Sequence, residues 1–174
     1  LLSMEGLYGS LLQMVFHALA KNALFLCAGA VICKTGCTRV KELRGMGKRM
    51  PAVMVCFALA SLSLVGIPPA GGFLAKWHLA VGAMRADAGV FAWLGPVVLM
   101  VSALLTAGYL FPVIVEGFFP GEDWRKTAQS EDGRLSVSAF MGVPLAVLGI
   151  SLLVLGALGN PVFELLRGIA SDMV

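Results

Sequence analysis

Apolar positions run almost unbroken along four stretches of this chain, and polar residues gather in the short segments between them. Gly6 to Cys33 is interrupted only by His17 and Lys21, and Pro51 to Met84 only by Lys76 and His78. Gly89 to Val115 and Ser136 to Asn160 hold no charged residue. Runs of about 18 or more residues with so few charges mark helices that cross a bilayer. The pattern predicts an all-α integral membrane chain with four transmembrane helices, at roughly 6–33, 51–84, 89–116 and 136–159.

The second run is too long for one straight span. As an unbroken helix it would measure about 51 Å, against a hydrocarbon core about 30 Å thick. Its middle reads "GIPPAGGFLAKW", residues 66 to 77. Pro68 and Pro69 have no N–H, so the carbonyls of Leu64 and Val65 lose the partners that a continuing helix would supply. With Gly66, Gly71 and Gly72 around them, the prolines predict a helix break over 66–72. Non-helical backbone at membrane depth is tolerated only inside protein or beside water, so the break is expected to face the bundle interior.

Lys76 then falls in the second turn of the outer half-helix. The carbonyl end of the first half-helix favours a cation there, and the N-terminal end of the second disfavours one. A lysine near balance between ammonium and amine is a workable proton carrier. Broken helices with ionisable groups near the midplane are a common build of secondary transporters. The simpler alternative, in which Lys76 snorkels to the surface, needs its stem to cover about 13 Å of helix to reach Arg85.

The first span carries a polar stripe. Ser10, Gln13, His17 and Lys21 follow at steps of three, four and four, which places them on one helix face. A charge at the bilayer centre costs at least about 2.5–3.5 kcal/mol, so the stripe is expected to meet water or partners inside the bundle. His17 and Lys21, one turn apart, are candidates to pass protons toward Lys76, histidine being suited to relay near neutral pH. The alternative is a stripe that only hydrogen-bonds helices together.

Other polar residues read as structural. Ser102, Thr106 and Tyr109 in the third span read as packing positions rather than a water lining, and His78 as an interfacial side chain rather than a relay. Glu116 is a solvated carboxylate at the membrane boundary. The fourth span is scaffold, and the closing "VFELLRGIASDMV" is a short amphipathic tail lying on the surface.

Composition agrees with the pattern. Hydrophobic residues make up 59% and charged residues 13% of the chain, where a soluble domain has about 45–50% and about 25%. The chain starts at Leu1 and reaches an apolar span almost at once, with no basic leader or cleavage site ahead of it. It is expected to be the C-terminal piece of a longer membrane protein.

Charge sets the orientation. Lys34, Arg39, Lys41, Arg44, Lys48 and Arg49 crowd the first loop, and Arg125, Lys126 and Arg134 the loop at 116–135. The opposite side holds only Arg85 and Arg167. By the positive-inside rule, the 34–50 and 116–135 loops are cytoplasmic. The net charge of +3 comes without a basic face interleaved with aromatics, so no nucleic acid is expected as a partner. Cys27, Cys33, Cys37 and Cys56 form no CxxC pair and lack further ligands at zinc or iron–sulfur spacing. They read as small buried hydrophobes, with no metal and no cofactor in this chain.

"HALAKNALFLCAGAVICKTGCTRVKELRGMGKRMP", followed by "GIPPAGGFLAKW", resembles the antiporter-like subunit family. That family comprises the proton-pumping membrane subunits of complex I (NADH:quinone oxidoreductase), the large subunits of Mrp-type monovalent cation/proton antiporters, and relatives in membrane-bound hydrogenases. The motifs cover about residues 13 to 77, and "AGYLFPVIVEGFF" fits more loosely. The best fit is to the D-type Mrp subunit or a similar complex I or hydrogenase subunit.

The resemblance implies the last four helices of a fold of about fourteen, built from two inverted repeats. It implies that Lys76 is the essential ionisable residue of the broken helix, and that His17 and Lys21 belong to the polar axis feeding it. Its partners would be other membrane subunits, the lipid bilayer, protons and, in an antiporter, Na+ or K+, in a bacterial or archaeal cytoplasmic membrane. The family's first half-channel, with its glutamate and lysine pair, is absent from this sequence. Three functions stand: a proton-translocating subunit of a redox-driven complex, a subunit of a cation/proton antiporter, and a structural membrane subunit with no proton path of its own. No nicotinamide, flavin, haem or iron–sulfur motif is present, so any redox step would lie in partner subunits.

Overall fold

In the computed structural model, residues 3–86, 89–121, 133, 135–158 and 160–172 are described. All regular structure among them is helical. Helix α1 spans Met4–Thr35, followed by a 3-10 turn at Val40–Leu43 and a single-turn helix α2 at Met46–Arg49. Then come α3 (Pro51–Val65), α4 (Gly71–Met84), α5 (Phe91–Phe118), α6 (Ala139–Leu158) and α7 (Asn160–Asp172).

Three helices are each long and apolar enough to cross a membrane: Met4–Thr35, Phe91–Phe118 and Ala139–Ala157. The chain is an integral membrane protein. The remaining expected span, the second along the chain, is broken over the segment that its prolines and glycines mark. It is the pair α3 and α4, of 15 and 14 residues, about 22 Å and 21 Å long. Neither half alone reaches across a core about 30 Å thick, so the two can cross only in series.

Helix α1 is the centre of the bundle, packed against α3, α4, α6 and α7. Its contact with α4 is at backbone distance. A Cβ built on Gly9 would lie 2.6 Å from the Leu79 nitrogen, and one on Gly82 would collide with the Gly6 backbone. Lipid tails are as apolar as leucine side chains, so helices in a membrane gain by this close approach of small residues. The contacts Gly6–Gly82, Gly9–Leu79 and Phe16–Gly71 fix α1 and α4 as antiparallel neighbours. The core gathers Leu12, Phe16, Ala20 and Cys27 of α1, Val53, Met54 and Ala60 of α3, and Leu145 and Leu152 of α6.

Each end of the bundle is tied. At the basic end, Arg44 Nε donates to Glu116 Oε2 at 2.7 Å, and the Gly45 N–H to the Glu116 carbonyl at 3.1 Å. The Leu135 N–H donates to the Arg49 carbonyl at 2.9 Å. The described parts of the 34–50 and 116–135 loops therefore share one end. Arg125, Lys126 and Arg134, counted for the orientation, lie outside the described residues, as do residues 87 and 88 of the opposite turn.

The structure adds to some sequence expectations and corrects one, the burial of all four cysteines. Glu116 is part-exposed in the last turn of α5, and the first loop folds back to give it the Arg44 guanidinium. Cys33 is exposed and Cys37 half-buried, whereas Cys27 and Cys56 are buried as expected. The tail is the helix α7, mostly exposed at its described positions, and it also packs on α1 with Leu166 against the core.

Candidate functional site

Helix α3 ends at Val65 on Gly66, which has φ 87° and ψ 50°. This is left-handed backbone, where glycine has no Cβ to clash. The N–H groups of Gly66 and Ile67 both turn back to the Leu62 carbonyl, at 2.9 and 3.1 Å. That closure resembles the Schellman motif and leaves the next carbonyls of α3 without backbone donors. The chain passes through a cis Pro68–Pro69 peptide and restarts as α4 at Gly71.

Lys76 supplies the missing donors. Its Nζ lies 2.9 Å from the Leu64 carbonyl and 2.7 Å from that of Val65. These are the two acceptors that Pro68 and Pro69 cannot serve. The stem runs over Gly66, where an added Cβ would meet Lys76 Cδ at 2.9 Å. Missing groups thus make the channel for the lysine: no side chain on Gly66, and no N–H on either proline. The amine sits at the negative end of the α3 dipole, which stabilises a cation. Charge-assisted hydrogen bonds of this kind are roughly twice as strong as neutral ones.

The surroundings of the break are tightly filled. A Cβ on Gly72 would overlap the Ser63 carbonyl oxygen, and one on Gly71 the ring of Phe16. Gly156 of α6 lies against the Gly71 nitrogen and the Pro69 carbonyl, at 2.6 and 3.2 Å from an added Cβ. The fourth apolar run, expected to be scaffold alone, therefore forms the back wall of the break. Ser63 is buried, and its Oγ has no hydrogen-bond partner among the described residues.

The stripe of α1 is more dispersed than its spacing implies. Gln13 places its Oε1 in a buried position with no donor among the described residues, at the level where α1 passes Ala75 and Lys76. Ser10 Oγ donates to the Gly6 carbonyl of its own helix, at 2.7 Å. Lys21 is half-buried, whereas His17 is exposed on the surface of the described helices. No hydrogen bond or ion pair among the described residues joins Lys76 to Ser10, Gln13, His17 or Lys21. Thr106 Oγ1 donates to the Ser102 carbonyl within α5.

A second polar cluster lies at the end away from the basic loops. Glu5 Oε2 is 2.9 Å from His78 Nδ1, and Glu5 Oε1 is 3.3 Å from Arg85 Nη1. Tyr8 meets the His78 ring edge-on, with centroids 4.8 Å apart. Sequence reasoning missed Glu5, which lies one residue before the start assigned to the first apolar run. His78 reads from the sequence as an interfacial side chain rather than a relay. Only the antiparallel register of α1 and α4 brings the two together, and periodicity within one helix does not contain it.

Residues 1–107 match the family model described as "NADH:quinone oxidoreductase/Mrp antiporter, TM". Over 167 residues, 91% of this chain, the sequence is 42% identical to NADH-quinone oxidoreductase subunit N of Desulforudis audaxviator, covering 32% of that protein. It is 29% identical over 166 residues, 95% of this chain, to the D-type subunit of the Na(+)/H(+) antiporter of Alkalihalophilus pseudofirmus, again covering 32% of it. The chain thus spans about a third of the length of these relatives. The fold superposes on a chain of the Mrp complex from Dietzia sp. DQ12-45-1b with a TM-score of 0.78, at 23% identity, covering 98% of this chain and 38% of that one.

Proposed function

Because this chain belongs to the NADH:quinone oxidoreductase/Mrp antiporter transmembrane family, we propose that it is part of a proton-translocating subunit of a multisubunit membrane complex, with Lys76 as its proton carrier. The observation that carries this reading is the pair of contacts from Lys76 Nζ to the Leu64 and Val65 carbonyls. An ammonium has three N–H groups. Two are held by the carbonyls, and the third is the one that can leave. The neutral amine keeps two N–H groups, so it can hold both carbonyls while its lone pair waits for the next proton. The break anchors the lysine in either protonation state, and no helix has to re-form during exchange.

Gln13 and the stripe with His17 and Lys21 are the proposed supply side of this path. A buried acceptor lacking a protein donor, as at Gln13 Oε1 among the described residues, is a natural place for a water. His17 would meet its partners in parts of the complex beyond these helices. Protons enter from the side of the basic loops, proposed as the cytoplasmic side of a bacterial or archaeal membrane.

For coupling, the 42% identity to an NADH-quinone oxidoreductase subunit supports a redox-driven complex whose electron carriers reside in partner subunits. Exchange against Na+ or K+ is the second reading, supported by the 29% identity to an antiporter subunit. Co-purification separates them: flavin and iron–sulfur partners support the first, and their absence from an active complex supports the second.

The test of the carrier uses the whole complex reconstituted in vesicles, with pH-gradient formation as the readout. Lys76→Gln keeps an N–H donor but cannot titrate, and Lys76→Arg stays charged at any accessible pH. Both are expected to lower proton movement about tenfold or more, since positioned proton transfer contributes about 10²–10⁴-fold. Native rates in both variants would make Lys76 a structural cap and support a subunit without a proton path of its own.

A further inference from the structure

We propose that His78, oriented by Glu5 at the end of the bundle opposite the basic loops, is a proton-exchanging group through which the path past Lys76 meets the water on that side. This rests on the proton-translocation reading above and adds residues to it.

The cluster is built by the close contact of α1 with α4. Gly9 and Gly82 let the two helices approach to backbone distance. Glu5, in the first turn of α1, thereby comes beside His78 and Arg85 of α4. Both carboxylate oxygens are engaged, Oε1 by Arg85 and Oε2 by His78. A carboxylate beside a guanidinium acts as an acceptor at both oxygens. The hydrogen in the His78–Glu5 contact is therefore assigned to Nδ1, which leaves Nε2 as the nitrogen that gains and loses a proton. Tyr8 packs edge-on against the ring and steadies its plane.

Among the described residues, the charged and titratable groups around the ring are Glu5 and Tyr8 from α1 and Arg85 from α4. Arg167 of α7 acts on Tyr8 through its charge. Lys76, two positions earlier on α4, lies on another face of that helix. The His78 side chain is 27% exposed and that of Glu5 32%, so the ring is neither sealed in the core nor free in solvent.

The step is a proton transfer with no other bond change. Nε2 takes a proton released by the Lys76 ammonium and passed on through water, giving an imidazolium whose Nδ1–H still donates to Glu5, and then gives it to water on that side. A purely structural clamp between α1 and α4 would need the Glu5–Arg85 pair but no titratable ring beside it.

The experiment uses the whole complex in sealed vesicles and records proton movement as the pH is varied only on the side opposite the basic loops. His78→Gln and Glu5→Gln are compared with the native complex and with Lys76→Gln, and assembly is checked by co-purification. His78→Gln is expected to lower the rate about tenfold and to flatten the dependence on that compartment's pH. Glu5→Gln, which replaces the carboxylate oxygen that orients the ring, is expected to lower the rate and to alter that same pH dependence. If Glu5→Gln prevents assembly, Glu5→Asp, which keeps the charge and moves it by one methylene, serves in its place. An unchanged profile shape in His78→Gln overturns the inference, whatever the maximal rate. If Lys76→Gln stops proton movement while His78→Gln matches the native profile, only the role of His78 falls. If Lys76→Gln is native and His78→Gln is not, the role of Lys76 falls instead.

Discussion

A primary amine that bridges two carbonyls across a helix break stabilises the fold and holds a proton at the same nitrogen. Removing it from Lys76 leaves the Leu64 and Val65 carbonyls short of donors, and a buried unsatisfied acceptor costs about 1–3 kcal/mol. Desolvation of a cation is relieved at the same time, so the net loss in Lys76→Ala is expected near the lower end of that range. Lys76→Gln, with an amide donor reaching toward the same place, should lose less. Thermal midpoints of the purified complex check the order; equal midpoints for the two variants would show that the carbonyl contacts contribute nothing to stability. Gly66→Ala is expected to cost about 1–2 kcal/mol from left-handed backbone alone, and its Cβ would press on Lys76 Cδ. It should therefore lower both the midpoint and the pumping rate; a drop in midpoint at a native rate would show that the lysine stem has another route. The orphaned carbonyls were legible in the sequence, because proline chemistry names them. Their donor was not, since the lysine reaches back eleven and twelve residues across a turn that no helical period describes. His17 shows the reverse case, a spacing that aligns residues on one face without saying what that face meets.

At the scale of elements, α3 and α4 form one crossing only if the break between them keeps its shape. Three glycines guard that shape from three directions: Gly72 against the Ser63 carbonyl, Gly71 against Phe16 of α1, and Gly156 of α6 against the Gly71 nitrogen. Backbone atoms cannot swing aside as a side chain can. Gly156→Ala is therefore expected to push α6 off the break and to lower the thermal midpoint and the pumping rate together. Gly142→Ala on the same helix has nothing within 4 Å of its added Cβ and should leave both unchanged. Equal behaviour of the two variants would show that α6 does not hold the break. The helices themselves were legible because runs of apolar residues report length and burial directly. The pairings were not: Gly156 looks like any glycine in an apolar run, and Glu5 like a residue before a span begins. Both acquire meaning from a neighbouring helix, and tertiary register is the part of the fold that spacing along the chain leaves open.

The whole molecule is asymmetric along the bundle axis. One end carries Lys34, Arg39, Lys41, Arg44 and Lys48, with Arg44 paired to Glu116; the other carries Glu5, His78 and Arg85. Helix α5 shows few buried positions, with Leu110 and Gly117 inside and Leu104 and Leu105 exposed. Such an apolar helix suits lipid or a neighbouring membrane protein and would be costly in water. The proposed direction of proton movement depends on which end faces the cytoplasm, and the positive-inside rule assigns the basic end to it. Single cysteines at Lys41 and Val90 test this, each exposed and at opposite ends. Native Cys33 is exposed and Cys37 partly so, and both would label at the basic end, so the background carries Cys33→Ser and Cys37→Ser. With a membrane-impermeant thiol reagent applied to intact cells, Val90→Cys is expected to react and Lys41→Cys only after the membrane is opened. The opposite pattern would reverse the orientation, and with it the assignment of Gln13 and the stripe to proton uptake and of His78 to release. Labelling of both from outside would mean that the two ends are not separated by the membrane, which removes the basis for a path between them.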